Sequence, residues 1–155
     1  MELAEKLRDE RIGRLPLPEI IILHEIIPIA EAVARMQEKR IGCVLIEKDG
    51  KLHGLMSERD VLVKYVGGGE LDSTPIRDLM STQVETLSPD NTMEEAIQTM
   101  VRGGYRHVPL VDSNRCILGM IRAIDIVDFI AEHFPAEVFN LPPRPEQKIV
   151  SPEGA

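Results

Sequence analysis

Apolar residues along the chain fall into short segments whose spacing switches between continuous runs and helical periodicity, and the switches occur in the same order twice. The opening residues, Met1 to Ile12, place Leu3, Leu7 and Ile12 on one side of an amphipathic helix before Pro16 and Pro18 break the chain. Glu19–Leu23 (EIIIL) is a β-branched run that predicts a buried strand. From Pro28, suited to the first helical position, to Lys39, the apolar residues Ile29, Ala32, Val33 and Met36 recur at helical spacing. Gly42–Glu47 then reads as a strand, Lys48-Asp49-Gly50 as a turn, Leu52–Met56 as a second strand, and Ser57–Val66 as a helix closed by Gly67, Gly68 and Gly69.

The order returns in the second half. Gln83–Leu87 predicts a strand, and Thr92 and Glu95 have the spacing of a capping box at the head of a helix carrying Met93, Ala96, Ile97 and Met100. His107–Val111 and Ile117–Ile121 predict strands on either side of an Asp112-Ser113-Asn114 turn, and Ile124–His133 a closing helix. Ala32 and Met36 match Ala96 and Met100 at an offset of 64, whereas Gly54 and Asp60 match Gly119 and Asp125 at 65, so the second turn is one residue longer. The fold class expected is α/β (α+β): two β-α-β-β-α repeats packed with pseudo-twofold symmetry. Each is too small to bury a core alone. The expected divisions are a helix and linker over 1–17, repeats over 18–67 and 76–133, a linker over 68–75, and a tail over 134–155. Proline, glycine and charge dominate that tail, which is expected to be extended or disordered.

Composition narrows the function. A net charge of -8 opposes general affinity for nucleic acid or anionic membranes. No apolar run is long enough to span a bilayer, and the mixed charges of Met1–Arg14 are unlike a signal peptide. Cys43 and Cys116 stand far apart in apolar stretches and read as buried thiols of a cytoplasmic protein.

Chemistry concentrates in Gly54-Leu55-Met56-Ser57-Glu58-Arg59-Asp60. Here a hydroxyl and a carboxylate sit three residues apart on the first turn of a helix, whose free N–H groups favour a phosphate. The hydroxyl can bond that phosphate and the acid a ribose diol. A capping box, with Ser57 as N-cap and Asp60 three residues on, accounts for the same pattern. In the second copy Arg122 stands where Ser57 stood while Asp125 remains, which suits a ligand-facing acid better than a cap.

The duplicated unit, the Gly-hydrophobic-hydrophobic-Ser/Thr-x-x-Asp element, the Asp78-Leu79-Met80 lead-in and the strand Arg106-His107-Val108-Pro109-Leu110-Val111-Asp112 resemble tandem CBS domains, or a Bateman module, over Pro18–Glu132. That resemblance implies a non-catalytic regulatory module binding an adenosine ligand between its halves, and pairing into disc-like homodimers. It also implies a regulated enzyme or transporter as partner. Carried over by position, one pocket takes Leu55, Ser57, Arg59 and Asp60 with Thr82, Val84, Tyr105, Arg106 and His107. The other takes Met120, Arg122, Ile124 and Asp125 with Ile20, Ile22, Ile41, Gly42 and Cys43. The acids would hold ribose and the strand residues the base. Arg122 departs from the family hydroxyl, and either pairs with a phosphate or fills its own pocket. Arg40, Arg59, Arg106 and Arg122 are each accounted for as solvated surface residues, but as a set at strand and helix ends they favour AMP, ADP or ATP over S-adenosylmethionine or NAD.

Other signals fail. His24-Glu25-Ile26-Ile27-Pro28 lacks the second histidine of a zinc-protease motif, and the four histidines lack ligand spacing. Gly67-Gly68-Gly69-Glu70 lacks the Lys-Ser/Thr of a phosphate loop and reads as a flexible linker. No serine or cysteine has a nucleophile's setting, so no catalysis and no metal are expected. Two functions remain: a nucleotide sensor, and an interaction scaffold with vestigial pockets that docks partners through its dimer faces, N-terminal helix and tail.

Overall fold

A computed structural model describes residues 2–134. Helix α1 (Glu2–Asp9) and a single 3-10 turn (Ile12–Arg14) precede the first repeat. That repeat comprises β1 (Ile22–His24), α2 (Ile29–Lys39), β2 (Cys43–Lys48), β3 (Lys51–Ser57) and α3 (Glu58–Val66). The second comprises α4 (Met93–Gly103), β4 (His107–Val111), β5 (Ile117–Arg122) and α5 (Ala123–His133). Strand β1 runs parallel to β2, and β2 antiparallel to β3, while β4 and β5 form an antiparallel pair.

Each sheet is buried on two sides. Along β2, Val44 and Ile46 join the core beneath α2 and α3, while the alternate residues Cys43 and Leu45 point the other way. There they meet Leu52 and Met120, with Ile20, Leu55, Val84, Val111 and Ile117 around them, so residues of both repeats share one buried layer. In the second repeat Val108, Leu110 and Ile121 face their own helices. Ala32, Met36, Ala96 and Met100, matched in sequence, are buried at equivalent places.

The hairpins carry the offset. Asp49 and Gly50 both adopt positive φ (54° and 76°), the two-residue turn that matches strand twist. The second hairpin places three residues between Asp112 and Cys116, with Arg115 at φ 65°. Arg115 also joins the repeats: its carbonyl accepts from the Leu52 N–H (3.0 Å), and its Nε donates to the Leu52 carbonyl (3.1 Å).

Several expectations need correction. Strand β1 lies toward the end of the predicted Glu19–Leu23 run, and Pro28 is the N-cap of α2 rather than its first helical residue. Gly54 lies inside β3, as the predicted Leu52–Met56 strand has it; a Cβ there would stand 2.9 Å from the Ser81 carbonyl oxygen, which accepts from the Leu55 N–H. Gln83–Leu87 is no strand, and only Leu87 bridges, to Leu110. The cause is Pro109. In the first repeat the Leu45 N–H donates to the Ile21 carbonyl (2.8 Å), and at the matching position Pro109 has no N–H to give. The three glycines close α3 through backbone bonds from Gly67, Gly68 and Gly69 to Val63, Tyr65 and Lys64. Cys43 is buried but Cys116 only half-buried. Phe134 packs against the second core, and the rest of the expected tail lies outside the described residues.

The N-terminal segment belongs to the second repeat. The N–H groups of Ile12 and Gly13 donate to the carbonyls of Asn91 and Pro89, and Met93 N–H to that of Glu10. Ile12 is fully buried in the second core, with Leu7, Leu15 and Leu17 against the same cluster. Leu7 of α1 is therefore used internally. Ile12→Ala is expected to cost about 2–5 kcal/mol, the range for emptying a buried aliphatic site, as a fall in the urea midpoint at unchanged slope. A loss below about 1 kcal/mol, the scale of surface substitutions, would show that the segment is dispensable to the second core.

Candidate functional site

The seam between the repeats opens into a continuous cleft at one end. One part, of about 300 Å³, is lined by Leu55, Ser57, Glu58 and Arg59 from the first repeat and Gly104, Tyr105, Arg106 and His107 from the second, with Gly42 at its edge. Leu55, Tyr105 and His107 carry it into a narrower part of about 140 Å³ beside Ser81, Gln83, Val84 and Glu85. Beyond lies an open part of about 360 Å³ bordered by Thr82, Val84, Tyr105 and Arg115. Eight of the nine residues expected for the first pocket thus line this cleft; the ninth, Asp60, is bonded to the lining residue Ser57.

Local rules explain the placement. Ser57 ends β3 and caps α3: the Asp60 N–H donates to Ser57 Oγ (3.3 Å), and Asp60 Oδ2 accepts from the Ser57 N–H (2.8 Å) and hydroxyl (3.0 Å). The capping box is therefore present. Among the described residues no protein donor reaches Asp60 Oδ1, which leaves one carboxylate oxygen unengaged. Gly104 takes φ 70° to end α4 and turn the chain toward Tyr105, whose ring covers Gly103. Glu58 escaped the sequence reading; its N–H donates to the Gly42 carbonyl (2.9 Å), and its carboxylate lies against Gly42 where a Cβ would come within 3.1 Å. Its place on the first turn beside Ser57 was the available signal.

The second set is arranged differently. Arg122 ends β5 as Ser57 ends β3, but its guanidinium folds back onto Asp125 through Nε–Oδ2 (3.1 Å) and Nη2–Oδ1 (2.7 Å). The Arg122 N–H also donates to Oδ2 (2.7 Å), so both carboxylate oxygens are occupied. Met120 and Cys43 are fully packed in the shared layer, Ile20 is half-buried beside them, and Ile22 and Ile124 are exposed. Ile41 and Gly42 border a different groove, of about 700 Å³, between α2 and α3, together with Arg40. Asp125 borders a cleft between the N-terminal segment and α5, with Arg14 and His133. Of the four arginines, Arg59 and Arg106 line the inter-repeat cleft; Arg40 does not, and Arg122 is paired.

Charge and burial set the protonation states. Burial, reinforced by the Asp60 and Glu58 carboxylates, pushes the Cys43 thiol up to about 12, so it stays protonated and unreactive. His107 is held below its usual value by burial first and by the nearby Arg122 guanidinium second, with Glu58 opposing. Its imidazole is therefore neutral at pH 7. Because the folded value is depressed, the unfolded state binds the proton more tightly. The stability contributed is complete above about 6.5 and is lost as pH falls below it. Between pH 7.5 and 5.5 the wild type should lose more denaturation free energy than His107→Gln, measured by urea titration at each pH. Equal losses would remove His107 from the account.

Known proteins share this fold. The CBS domain family profile matches residues 12–67 and 76–132, most of the chain. An uncharacterised protein of Methanopyrus kandleri is 33% identical over 124 residues, covering 78% of this chain and 63% of its own. A CBS domain pair solved in complex with 5-methylthioadenosine and S-adenosyl-L-methionine superposes with a TM-score of 0.73 at 22% identity, over 79% of this chain and 97% of that one. A CBS domain protein of Pyrobaculum aerophilum complexed with AMP superposes at 0.69 with 23% identity, covering 75% and 89%. The chain belongs to the CBS domain family and carries two copies of the domain as a pair.

Proposed function

We propose that the chain is a non-catalytic regulatory module that takes an adenine nucleotide (AMP, ADP or ATP) in the cleft between its repeats. The observation that carries this reading is the cleft's lining. Apolar and aromatic side chains (Leu55, Val84, Tyr105) can sandwich a base, while Arg59 and Arg106 stand where a phosphate would lie. Ser57 at the head of α3 adds its hydroxyl, and the unengaged oxygen of the neighbouring Asp60 can accept from a ribose hydroxyl. A phosphate there would find two guanidiniums, which favours nucleotides over S-adenosylmethionine. Structural relatives solved with AMP or with S-adenosylmethionine support the ligand class.

The regulatory output requires a second body. Each repeat leaves apolar side chains exposed on its last helix: Leu62, Tyr65 and Val66 on α3, and Ile124 and Val127 on α5. A homodimer burying such faces across a twofold axis is the arrangement we favour, with a regulated enzyme or transporter as its client. Ligand would then shift the dimer only as far as it prefers one geometry over another. The same exposed faces favour the second reading, an interaction scaffold in which nucleotide plays no part.

A thermal-shift panel with AMP, ADP, ATP, NAD and S-adenosylmethionine separates the two. A ligand held only by the folded form stabilises it by about 2.7 kcal/mol at a hundredfold excess over its dissociation constant. We expect an upward shift with adenine phosphates that Asp60→Asn and Ser57→Ala/Asp60→Ala abolish, each judged against its own ligand-free melting point because both also weaken the α3 cap. No shift at millimolar ligand would leave the scaffold.

A further inference from the structure

The two repeats present the same strand-to-helix corner with opposite consequences. At the first corner Ser57 is short, and Asp60 Oδ1 meets no protein donor among the described residues. At the second, Arg122 supplies two guanidinium bonds and a backbone N–H to the matching acid. That acid's side chain is only 7% exposed. The residues flanking the corners differ likewise. Leu55 and His107 are half-buried and face open cleft, whereas their counterparts Met120 and Cys43 are fully packed. Cys43 is paired in register with Ser57, and His107 with Arg122, so the corners occupy equivalent places in the two sheets.

We infer that Arg122 is a built-in occupant of the second site: its guanidinium satisfies Asp125 as a ligand's hydroxyls would, so that the chain takes one adenine nucleotide rather than two. The stoichiometry rests on the proposed function, but the blocking role of Arg122 does not. A ribose diol offers an acid two O–H donors, and Arg122 offers the same acid two N–H donors in fixed geometry at no cost of association. A free nucleotide must displace that intramolecular pair before Asp125 can accept anything. Its removal also takes one positive charge from beside His107, a group whose protonation Arg122 disfavours.

The substitution that tests this is Arg122→Ser, which restores the Ser-x-x-Asp pattern of the first corner. Serine is a favoured N-cap, so the start of α5 keeps its capping, and Arg122→Thr serves as a second variant should the first lose its cooperative melt. Isothermal titration calorimetry on the full chain, with AMP, ADP and ATP separately, reads the number of sites. We expect wild type to take one nucleotide and Arg122→Ser two, with the gained site removed by adding Asp125→Asn. The gained site should remain when Ser57→Ala/Asp60→Ala disables the first. Should wild type bind nothing while Arg122→Ser gains an Asp125-dependent site, the proposed first pocket fails and the role of Arg122 stands. The inference is overturned if wild type already takes two nucleotides, one of them dependent on Asp125. It is equally overturned if both well-folded Arg122 variants bind no more than wild type.

Discussion

Strand β2 is apolar on both of its faces, and the rest of the molecule is arranged to keep both dry. Val44 and Ile46 are covered from within the repeat by α2 and α3, but Cys43 and Leu45 are closed off only with the help of the second repeat. Burying an aliphatic side chain of that size is worth about 1.5–3 kcal/mol, so an exposed sheet face would consume much of a small domain's net stability. Met120, Ile117 and Val111 of the second repeat close over that face. Duplication is thus a structural requirement, since each repeat is the lid of the other.

The cleft follows from the same packing. Where two twisted sheets meet, their centres touch and their corners diverge, and each divergent corner holds the end of a strand and the head of a helix. Leu52 and Arg115 hold one edge of the seam together by paired backbone and side-chain bonds. Further along the seam Tyr105 and His107 face Leu55 and Ser57 across a gap that neither repeat fills. The chemistry available there, a capped helix head, two arginines, a neutral imidazole and an aromatic ring, is what the seam happens to gather. At the other corner a single long side chain turns back into the protein and satisfies the acid from within.

Much of this was legible in the chain. The helices announced themselves through Ile29, Ala32 and Met36 and through Met93, Ala96 and Met100, because helical periodicity needs only local information. The change of offset from 64 to 65 located the longer hairpin correctly, as Arg115 in its left-handed conformation shows. What failed depended on partners. Gln83–Leu87 has the alternation of a strand, but its ladder is decided by Pro109, more than twenty residues away. Arg122 was expected either to pair with a phosphate or to fill its own pocket, and its reach back to Asp125 becomes visible only in the geometry of the corner. Glu58 went unnoticed because its position matters only once Gly42 lies beneath it. Ile12 was seen as the end of an isolated helix, when its burial belongs to a core assembled from residues beyond Met93.

That last feature also constrains the order of events during synthesis. Arg11 bonds to Asp90 across a separation of 79 residues, and the neighbouring backbone bonds of Ile12 and Gly13 span a similar distance. At about 5–20 residues per second, the N-terminal segment leaves the ribosome roughly 4–16 s before its partners exist. Throughout that interval Leu7, Ile12, Leu15 and Leu17 must stay clear of the half-built first repeat. The charges crowded between them, Arg8, Asp9, Glu10, Arg11 and Arg14, give the waiting segment a solvated character. A segment made before the first repeat thus finds its place only after that repeat is complete.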